Sequence, residues 1–257
     1  MPRKRSLLDT LAARFSDESR ETLLSFVLCG DVRVDGSVIR DPRLPVADRS
    51  VIKIESRRYV SRGGEKLEHA LKHFKIDVAG LVCLDAGAST GGFTDCLLQH
   101  GAARVHAVDV GTNQLAWSLR CDDRVAVREQ ASILSVALLE PAPTLAVADL
   151  SFRSLTGVAS HLLALATGRR AVVLIKPQFE WENPPDSFDG TVPAEQAGAI
   201  ALEAAMKLQA EGVGVLDVCE SPIRGRRGNR EFLAYIGLVG DSVLSTSALS
   251  RRFSELT

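Results

Sequence analysis

Four apolar runs of the sequence each end in a charged residue, and these residues are Asp85, Asp109, Asp149 and Lys176. If the runs are strands of one parallel sheet, their carboxyl ends meet at one edge, where such sheets bind ligands. Carboxylates and an ammonium group gathered there can hold a polar ligand and move a proton. One charged residue at a strand end carries little meaning, whereas four in the same position indicate a functional site.

A glycine-rich loop follows the first of these runs, in Asp85-Ala-Gly-Ala-Ser-Thr-Gly-Gly-Phe-Thr-Asp95, and a helical pattern starts at Phe93. The glycine spacing does not fit the dinucleotide fingerprint G-x-G-x-x-G, and Asp85 would repel a pyrophosphate. A cationic cofactor such as S-adenosylmethionine fits better, with its ribose hydroxyls held by Asp109. An ordinary tight turn of an α/β protein is the alternative. The cofactor site predicted from this pattern comprises Asp85, Gly87, Ser89, Thr90, Gly91, Gly92, Phe93, Asp109, Val110 and Asp149.

Lysines and acidic residues elsewhere are candidates for the chemistry. Lys176 precedes Pro177, which ends its strand, and Asp149 from an earlier strand is a natural partner. Such a pair in a cleft could hold a hydroxyl and take its proton, although a surface salt bridge is the alternative. Lys66 follows two glycines in the first turn of a helix, where a cation meets the positive end of the helix dipole. That placement suggests a functional role for Lys66, but a solvated lysine fits equally well. Glu231, which follows a basic glycine turn, is supported only weakly by this pattern.

The elements that must position these residues fall into two parts. Residues 6–15 and 16–29 have helical apolar spacing, Asp35-Gly36 marks a hairpin, and 50–55 is a short strand. These make a compact module, joined by a basic linker to a domain in which strands and helices alternate. The predicted divisions are a small module at 1–58, a linker at 59–64 and a main domain at 65–257.

Alternation of strands and helices predicts a parallel sheet that is covered on both faces. A helix is expected over Glu65 to Phe74. The predicted strands are 81–85, 104–109, 144–149, 171–176 and 213–218. Further helices are predicted near 93–100, 112–119, 154–166 and 194–211. The fold class is therefore α/β.

The composition and charge of the chain limit the classes of protein to which it can belong. The chain has 257 residues, 46% hydrophobic and 25% charged, as in a soluble globular protein, and its net charge is −1. Residues 1–60 hold 12 Lys+Arg and 9 Asp+Glu, a net charge of +3, which is weak evidence for a nucleic-acid partner. The five cysteines lack a C-x-x-C pair and the five histidines lack metal-ligand spacing, so no disulfide framework and no metal site is expected. No run approaches the ~18–20 apolar residues of a membrane span, and a cytoplasmic location is expected.

Several motifs together resemble the TlyA family, FtsJ-like ribosomal RNA methyltransferases with an amino-terminal RNA-binding module of the ribosomal-protein S-four type. These motifs are Ala148-Asp-Leu-Ser-Phe152, Lys176-Pro-Gln-Phe179 and Gly228-Asn-Arg-Glu231, with longer runs at 59–71, 84–95 and 107–115. The resemblance covers nearly the whole chain. It implies a Rossmann-like S-adenosylmethionine-dependent methyltransferase fold with a small amino-terminal α+β RNA-binding domain. It also implies methylation of a ribose 2′-hydroxyl in ribosomal RNA, usually of cytidine, by a tetrad of Lys66, Asp149, Lys176 and Glu231.

Ribosomal RNA or ribosomal subunits are the partners that this resemblance implies. The residues expected to bind RNA are Arg20, Arg33, Arg57, Arg58 and Arg62. Three segments depart from the family pattern: Asp31 stands where a basic residue is usual, the loop Trp181 to Gly190 is acidic and proline-rich, and 129–133 lacks the usual asparagine and arginine. Relatives labelled hemolysins raise a second hypothesis, a membrane-active cytolysin, and a non-catalytic ribosome-binding protein is a third.

Overall fold

A computed structural model describes residues 5–16, 18–54, 58–225, 227–238, 240 and 243–256. Its amino-terminal part consists of two helices and short strands. The helices are α1 (Leu7–Arg14) and α2 (Arg20–Cys29). The strands are β1 (Arg5–Ser6), β2 (Val32–Val34), β3 (Ser37–Ile39), β4 (Pro45–Val46) and β5 (Ile52–Ile54). Strands β3, β2 and β5 form an antiparallel sheet in that order, and β1 pairs with β4.

Local signals set these amino-terminal elements. The hydroxyl groups of Ser6 and Ser19 accept hydrogen bonds from backbone N–H groups in the first turns of α1 and α2, and Gly30 ends α2 at φ +79°. Asp35 and Gly36 both have positive φ, which is the turn that the hairpin prediction requires. The part has an apolar core of its own, made by Leu7, Leu11, Leu23, Val27, Val32, Val34 and Val46. The domain boundaries themselves stay a prediction.

The rest of the chain alternates helices and strands around one large sheet. The helices are α3 (Gly63–Phe74), α4 (Gly92–Gln99), α5 (Trp117–Arg120), α6 (Ala159–Leu165), α7 (Pro177–Glu180), α8 (Ala194–Ala210) and α9 (Thr246–Leu256). The strands are β6 (Val82–Ala86), β7 (Arg104–Val108), β8 (Val125–Arg128), β9 (Leu145–Ala148), β10 (Arg170–Ile175), β11 (Val213–Glu220) and β12 (Phe232–Leu238). The strand order in the sheet is β11-β12-β10-β9-β6-β7-β8.

The sheet is mixed, so the prediction of an entirely parallel sheet is wrong at one strand. Strands β10, β9, β6, β7 and β8 are parallel, but β12 runs antiparallel to both β10 and β11. Antiparallel neighbours need only a short connection, and the described residues between β11 and β12 contain no helix, so the alternating pattern stops there. Strands β8 and β12 were both absent from the sequence prediction.

Both faces of the sheet are covered, as predicted. Successive side chains of a strand point to opposite faces, so Leu84 of β6 packs with Leu162 of α6 and Ala201 of α8, whereas Cys83 packs with Leu67 of α3. Three of the four charged residues directly follow their strands β7, β9 and β10, while Asp85 is one residue inside β6. The carboxyl ends of the central strands therefore bring the predicted site residues to one edge of the sheet.

Candidate active site

The glycine loop between β6 and α4 passes close to the neighbouring strand end. Gly87 has φ +83°, and a Cβ atom there would lie 2.6 Å from the backbone oxygen of Asp149. Gly91 has φ +96° and faces Leu119 of α5, where a Cβ atom would meet the leucine side chain at 2.2 Å. Both positions therefore need glycine for conformation and for space. Phe93 lies buried behind the loop.

A further glycine contact brings α3 to the same loop. A Cβ atom at Gly92 would lie 2.9 Å from the backbone nitrogen of Gly64. The first turn of α3, which carries Lys66, therefore packs directly against the start of α4. Tyr59 is buried in the same apolar cluster as Leu67, so the chain just before α3 packs on this part of the molecule.

Asp109 holds two loops together at the sheet edge. Its Oδ2 accepts a hydrogen bond from the backbone N–H of Ser89 at 2.8 Å, and its Oδ1 accepts one from Gly111 at 2.7 Å. Each oxygen keeps a lone pair that could accept from a ribose hydroxyl. Val110, which follows Asp109, is 73% exposed and offers an apolar surface beside it. Thr90 belongs to the same loop, where its carbonyl accepts from the N–H of Ala116 at 3.2 Å.

Glu129 is a site residue that the sequence analysis did not identify. Its carboxylate accepts hydrogen bonds from the backbone N–H groups of Asn113 and Gln114, at 2.9 and 3.2 Å, and pairs with Arg120. It therefore orders the loop that follows Asp109. The signal was available only in the departure of residues 129–133 from the family pattern.

Asp85 is enclosed completely. Its Oδ2 accepts a hydrogen bond from Thr94 Oγ1 at 2.6 Å, while its Oδ1 is buried and has no hydrogen-bond partner among the described residues. Burial, opposed by the Thr94 hydrogen bond, raises the pKa of Asp85 to about 7. A buried carboxylate oxygen without a donor is costly. Asp85 therefore lies beneath the glycine loop with no exposed surface, and its contact with a cationic ligand stays a prediction.

Lys176 and Asp149 form the predicted pair. Lys176 Nζ lies 2.5 Å from Asp149 Oδ1 and donates a hydrogen bond to Ser151 Oγ at 2.9 Å. Its ammonium also lies 5.8 Å from the ring centroid of Phe179, within cation–π range. Lys176 is only 8% exposed and the Asp149 side chain is 23% exposed, so this is a partly buried pair rather than the surface salt bridge that was the alternative.

Lys66 and Glu231 form a second pair, which is buried. Lys66 Nζ lies 2.5 Å from Glu231 Oε2, and the side chains are 10% and 3% exposed. Ile175 pairs with Phe232 at the end of the antiparallel β10–β12 ladder. Lys176 directly follows Ile175 and Glu231 directly precedes Phe232, so the two residues are neighbours just beyond that end of the ladder. The four residues of the expected tetrad therefore gather at one end of the sheet as two lysine–carboxylate pairs. Lys66 is not the solvated lysine that its sequence position allowed.

Two residues beside Glu231 support the site, and the sequence analysis gave them no role. Asn229 accepts the N–H of Val192 at 2.8 Å and donates to the carbonyl of Gly190 at 2.9 Å, which fastens the acidic loop after α7. Arg230 makes two hydrogen bonds to Glu220, at 2.9 and 2.7 Å. Both contacts fix the turn that delivers Glu231.

Phe152 is an exposed aromatic residue at the mouth of the site. It is 91% exposed, has φ +60°, and its ring centroid lies 5.2 Å from that of Phe179. A non-glycine residue held at positive φ is uncommon and strained, and such strain clusters at functional sites. The ring is therefore available for a partner outside the chain.

The predicted RNA-binding arginines lie on different elements. Arg20 of α2 pairs with Asp9 at 2.7 Å, Arg58 pairs with Glu68, and Arg62 immediately precedes α3. Arg33 of β2 is the register partner of Lys53 of β5. Arg57 lies outside the described residues. Asp31, one of the departures from the family pattern, is only 2% exposed.

Comparison with known proteins identifies the family. A model of the FtsJ-like methyltransferase family matches residues 59–238. The chain is 40% identical to the 16S/23S rRNA (cytidine-2′-O)-methyltransferase TlyA of Mycobacterium tuberculosis, over 97% of this chain and 96% of that protein. It is 39% identical to Hemolysin A of Brachyspira hyodysenteriae, over 85% of this chain and 93% of that protein.

A solved structure from Streptococcus thermophilus, whose name carries a hemolysin label, is also similar, with 34% identity and a TM-score of 0.70. The match covers 99% of this chain and 97% of that one. Among the described residues, no helix is long and apolar enough to cross a membrane. These matches over nearly the full length place the chain in the FtsJ-like methyltransferase family, in its TlyA branch.

Proposed function

We propose that this protein transfers a methyl group from S-adenosylmethionine to the 2′-hydroxyl of a cytidine ribose in ribosomal RNA. The observation that carries the proposal is the two lysine–carboxylate contacts, the buried Lys66–Glu231 pair and the partly buried Lys176–Asp149 pair, at the sheet edge that also holds the glycine loop. The names of the TlyA relatives support the substrate and the target atom.

The cofactor is proposed to occupy the edge between β6 and β7. S-adenosylmethionine supplies, when bound, an electrophilic methyl group on a sulfonium centre. Oδ1 of Asp85, which has no hydrogen-bond partner among the described residues, suits its ammonium group once the enclosing glycine loop moves aside. The remaining lone pairs of Asp109 suit its ribose hydroxyls. Val110 offers apolar surface to the adenine ring. Gly87 and Gly91 keep the loop backbone free of side chains that would fill this space.

The tetrad is proposed to act on the RNA hydroxyl. A ribose 2′-hydroxyl is a weak acid, so its proton must leave as its oxygen bonds to the methyl carbon. Lys176 contacts that hydroxyl and takes the proton when its amine is neutral, while Asp149 and Ser151 fix the position of Nζ. Glu231 fixes Lys66 in the same way, and Lys66 orients the nucleoside.

The target nucleoside needs to leave its stack to reach these groups. Enzymes that act on a base or sugar inside a duplex extrude the nucleotide and stack the exposed base on aromatic side chains. Phe152 has the exposure and the position for that contact. We assign the phosphate backbone to the module at 1–58 and to the linker at 59–64, through Arg20, Arg33, Arg57, Arg58 and Arg62.

The hemolysin names of some relatives favour one competing hypothesis, a membrane-active protein. One buried and one partly buried ion pair beside a glycine loop have no use in that activity. The same pairs argue against a non-catalytic ribosome-binding protein, because burying charges costs free energy that binding alone does not require. A cytoplasmic location follows from a ribosomal substrate and belongs to the same proposal.

The test measures methyl transfer to ribosomal subunits that lack the modification, followed by mapping of 2′-O-methyl groups. Lys176→Ala should lose ~10²–10⁴-fold in rate, the usual size of a general-base effect, and should keep cofactor affinity. Lys207→Ala is the matched control, because Lys207 pairs with Glu182 on the surface, and it should keep full activity. A Lys176→Ala rate above about a tenth of wild type would remove Lys176 from the base role. Dye release from liposomes by the pure protein, without methylation of any subunit, would instead support the cytolysin.

A further inference from the structure

A cluster of two histidines and a cysteine lies on α3 and β11 and includes none of the residues assigned to methyl transfer. His69 and His73 are four residues apart and share one face of α3. Cys219 of β11 faces them, and one ligand atom from each of the three side chains lies within 4.8 Å of the other two. The histidines gave no metal signal in the sequence because the third residue comes almost 150 positions later.

The chemistry of these three side chains is that of a metal site. Two imidazole nitrogens and one thiolate are ligands that Zn²⁺ prefers, in a tetrahedral arrangement. Zn–N bonds of about 2.0 Å and a Zn–S bond of about 2.3 Å place such ligand atoms roughly 3.5 Å apart. The observed spacing therefore needs only small rotations of the side chains. His69 and His73 are near the surface, which gives an ion a path of entry.

The surroundings of the cluster orient one of its histidines. Asp217, two residues before Cys219 and thus on the same face of β11, lies with its Oδ2 3.3 Å from His73 Nε2. A carboxylate that holds the ring nitrogen not bound to the metal is the usual outer shell of a zinc site, so His73 would bind the ion through Nδ1. Lys72 pairs with Glu68 at 2.7 Å, and Arg252 pairs with Asp217 at 2.8 Å, so Asp217 contributes the orientation of His73 rather than a net negative charge.

We propose that His69, His73 and Cys219 form a zinc site that fastens α3 to β11, with a water molecule as the fourth ligand. Binding forms two Zn–N bonds and one Zn–S bond and releases the thiol proton to solvent. The site has a structural consequence. Helix α3 carries Lys66, and β11 pairs with β12, which follows Glu231. The ion therefore stabilises the helix and the strand pair that deliver the two partners of the Lys66–Glu231 contact.

The test uses the full chain with Cys121→Ser, which removes a thiol exposed elsewhere on the surface. Cobalt(II) is the probe, because a thiolate ligand gives it a near-ultraviolet charge-transfer band, and zinc affinity follows from competition with a chelator. We expect one equivalent of metal per chain and a melting temperature that rises with zinc. The band should disappear in Cys219→Ser and persist in Cys83→Ala, a matched change of another buried cysteine.

The histidine variants keep the test decisive if Cys219→Ser fails to fold, because both histidines lie on the outer part of α3. His69→Ala and His73→Ala should each weaken zinc binding more than about a hundredfold, since the loss of an outer partner alone typically costs ~10–100-fold. His100→Ala, a change of a histidine on another helix end, should leave it unchanged. Zinc affinity equal to wild type in both α3 variants, or no cobalt–thiolate band in the folded chain, would overturn the proposal. Neither result depends on methyl transfer.

Discussion

Replacing Asp85 with asparagine should stabilise the protein without ligand and weaken its binding of S-adenosylmethionine. The reason is that Asp85 is fully buried, with one oxygen bonded to Thr94 and the other without a hydrogen-bond partner among the residues that the structure describes. Burial raises its pKa from 3.8 to about 7, so the folded chain keeps a proton that the unfolded chain has already lost. Stability therefore falls as the pH rises from about 4 to about 7, and this loss persists at higher pH.

The magnitude follows from that difference in pKa. A pKa that is higher by about 3 in the folded state corresponds to a loss of about 4 kcal/mol above pH 7. Asparagine cannot ionise, and its carbonyl oxygen can still accept the Thr94 hydroxyl. The variant should therefore exceed wild type in unfolding free energy at all neutral pH values. The difference in unfolding free energy between the variant and wild type should grow by roughly 2 kcal/mol between about pH 5.5 and about pH 8.5.

Urea unfolding at those two pH values measures this difference, and calorimetric titration measures cofactor affinity. Asp123→Asn serves as the control because that side chain is exposed, and its difference from wild type should not change with pH. A difference for Asp85→Asn that stays constant with pH would refute the burial argument. Unchanged cofactor affinity in the folded variant would remove Asp85 from the cofactor site.

Three further changes test other parts of the structure. Gly87→Ala should destabilise the protein more than Gly36→Ala, because both glycines have similar positive φ but only a Cβ atom at Gly87 would meet a backbone oxygen. Urea unfolding compares the two variants. Equal losses of unfolding free energy would contradict the close approach of the Gly87 backbone to Asp149. Lys66→Ala should cost about 3–5 kcal/mol by leaving Glu231 buried without a partner, whereas Lys66→Met with Glu231→Leu should recover stability but not methyl transfer. Removal of residues 1–58 should preserve cofactor binding and reduce the salt dependence of RNA binding; methylation at wild-type rate by the truncated chain would place RNA recognition elsewhere.

Helices and strands whose apolar residues recur at a clear helical or strand spacing were predictable from the sequence. Strands β6, β7, β9, β10 and β11 and helices α3, α4 and α8 all follow apolar patterns, and their observed ends lie close to the predicted ones. The charged strand ends were predictable for the same reason, since parallel strands bring their carboxyl ends together. Helix α5 is much shorter than the predicted 112–119, because Glu129 holds Asn113 and Gln114 in a loop.

Partnerships between distant residues were not predictable from pattern. Lys66 and Glu231 are 165 positions apart in the sequence. Lysine and glutamate are also common on solvent-exposed surfaces, so the residue types alone do not indicate a buried pair. Their pairing depends on β12 entering the sheet next to β10, which no periodicity in the sequence indicates. The position of β12 also sets β11 beside α3, and this brings Cys219 close to His69 and His73. Before the structure, the resemblance to a family gave the main indication for Lys66 and Glu231, since their own sequence patterns supported them only weakly.

The place of β12 between β10 and β11 has a consequence for the order in which the protein matures during synthesis. Translation completes β11 before β12, yet β11 reaches the sheet only by pairing with β12. The growing chain therefore carries β11 as an unpaired strand until residues 232–238 have left the ribosomal tunnel. Glu231 arrives in the same interval, so the buried ammonium of Lys66 gains its counter-ion only when the sheet closes. Strand β12 and Glu231 are thus both added late in synthesis, and a chain that stops before residue 231 lacks both.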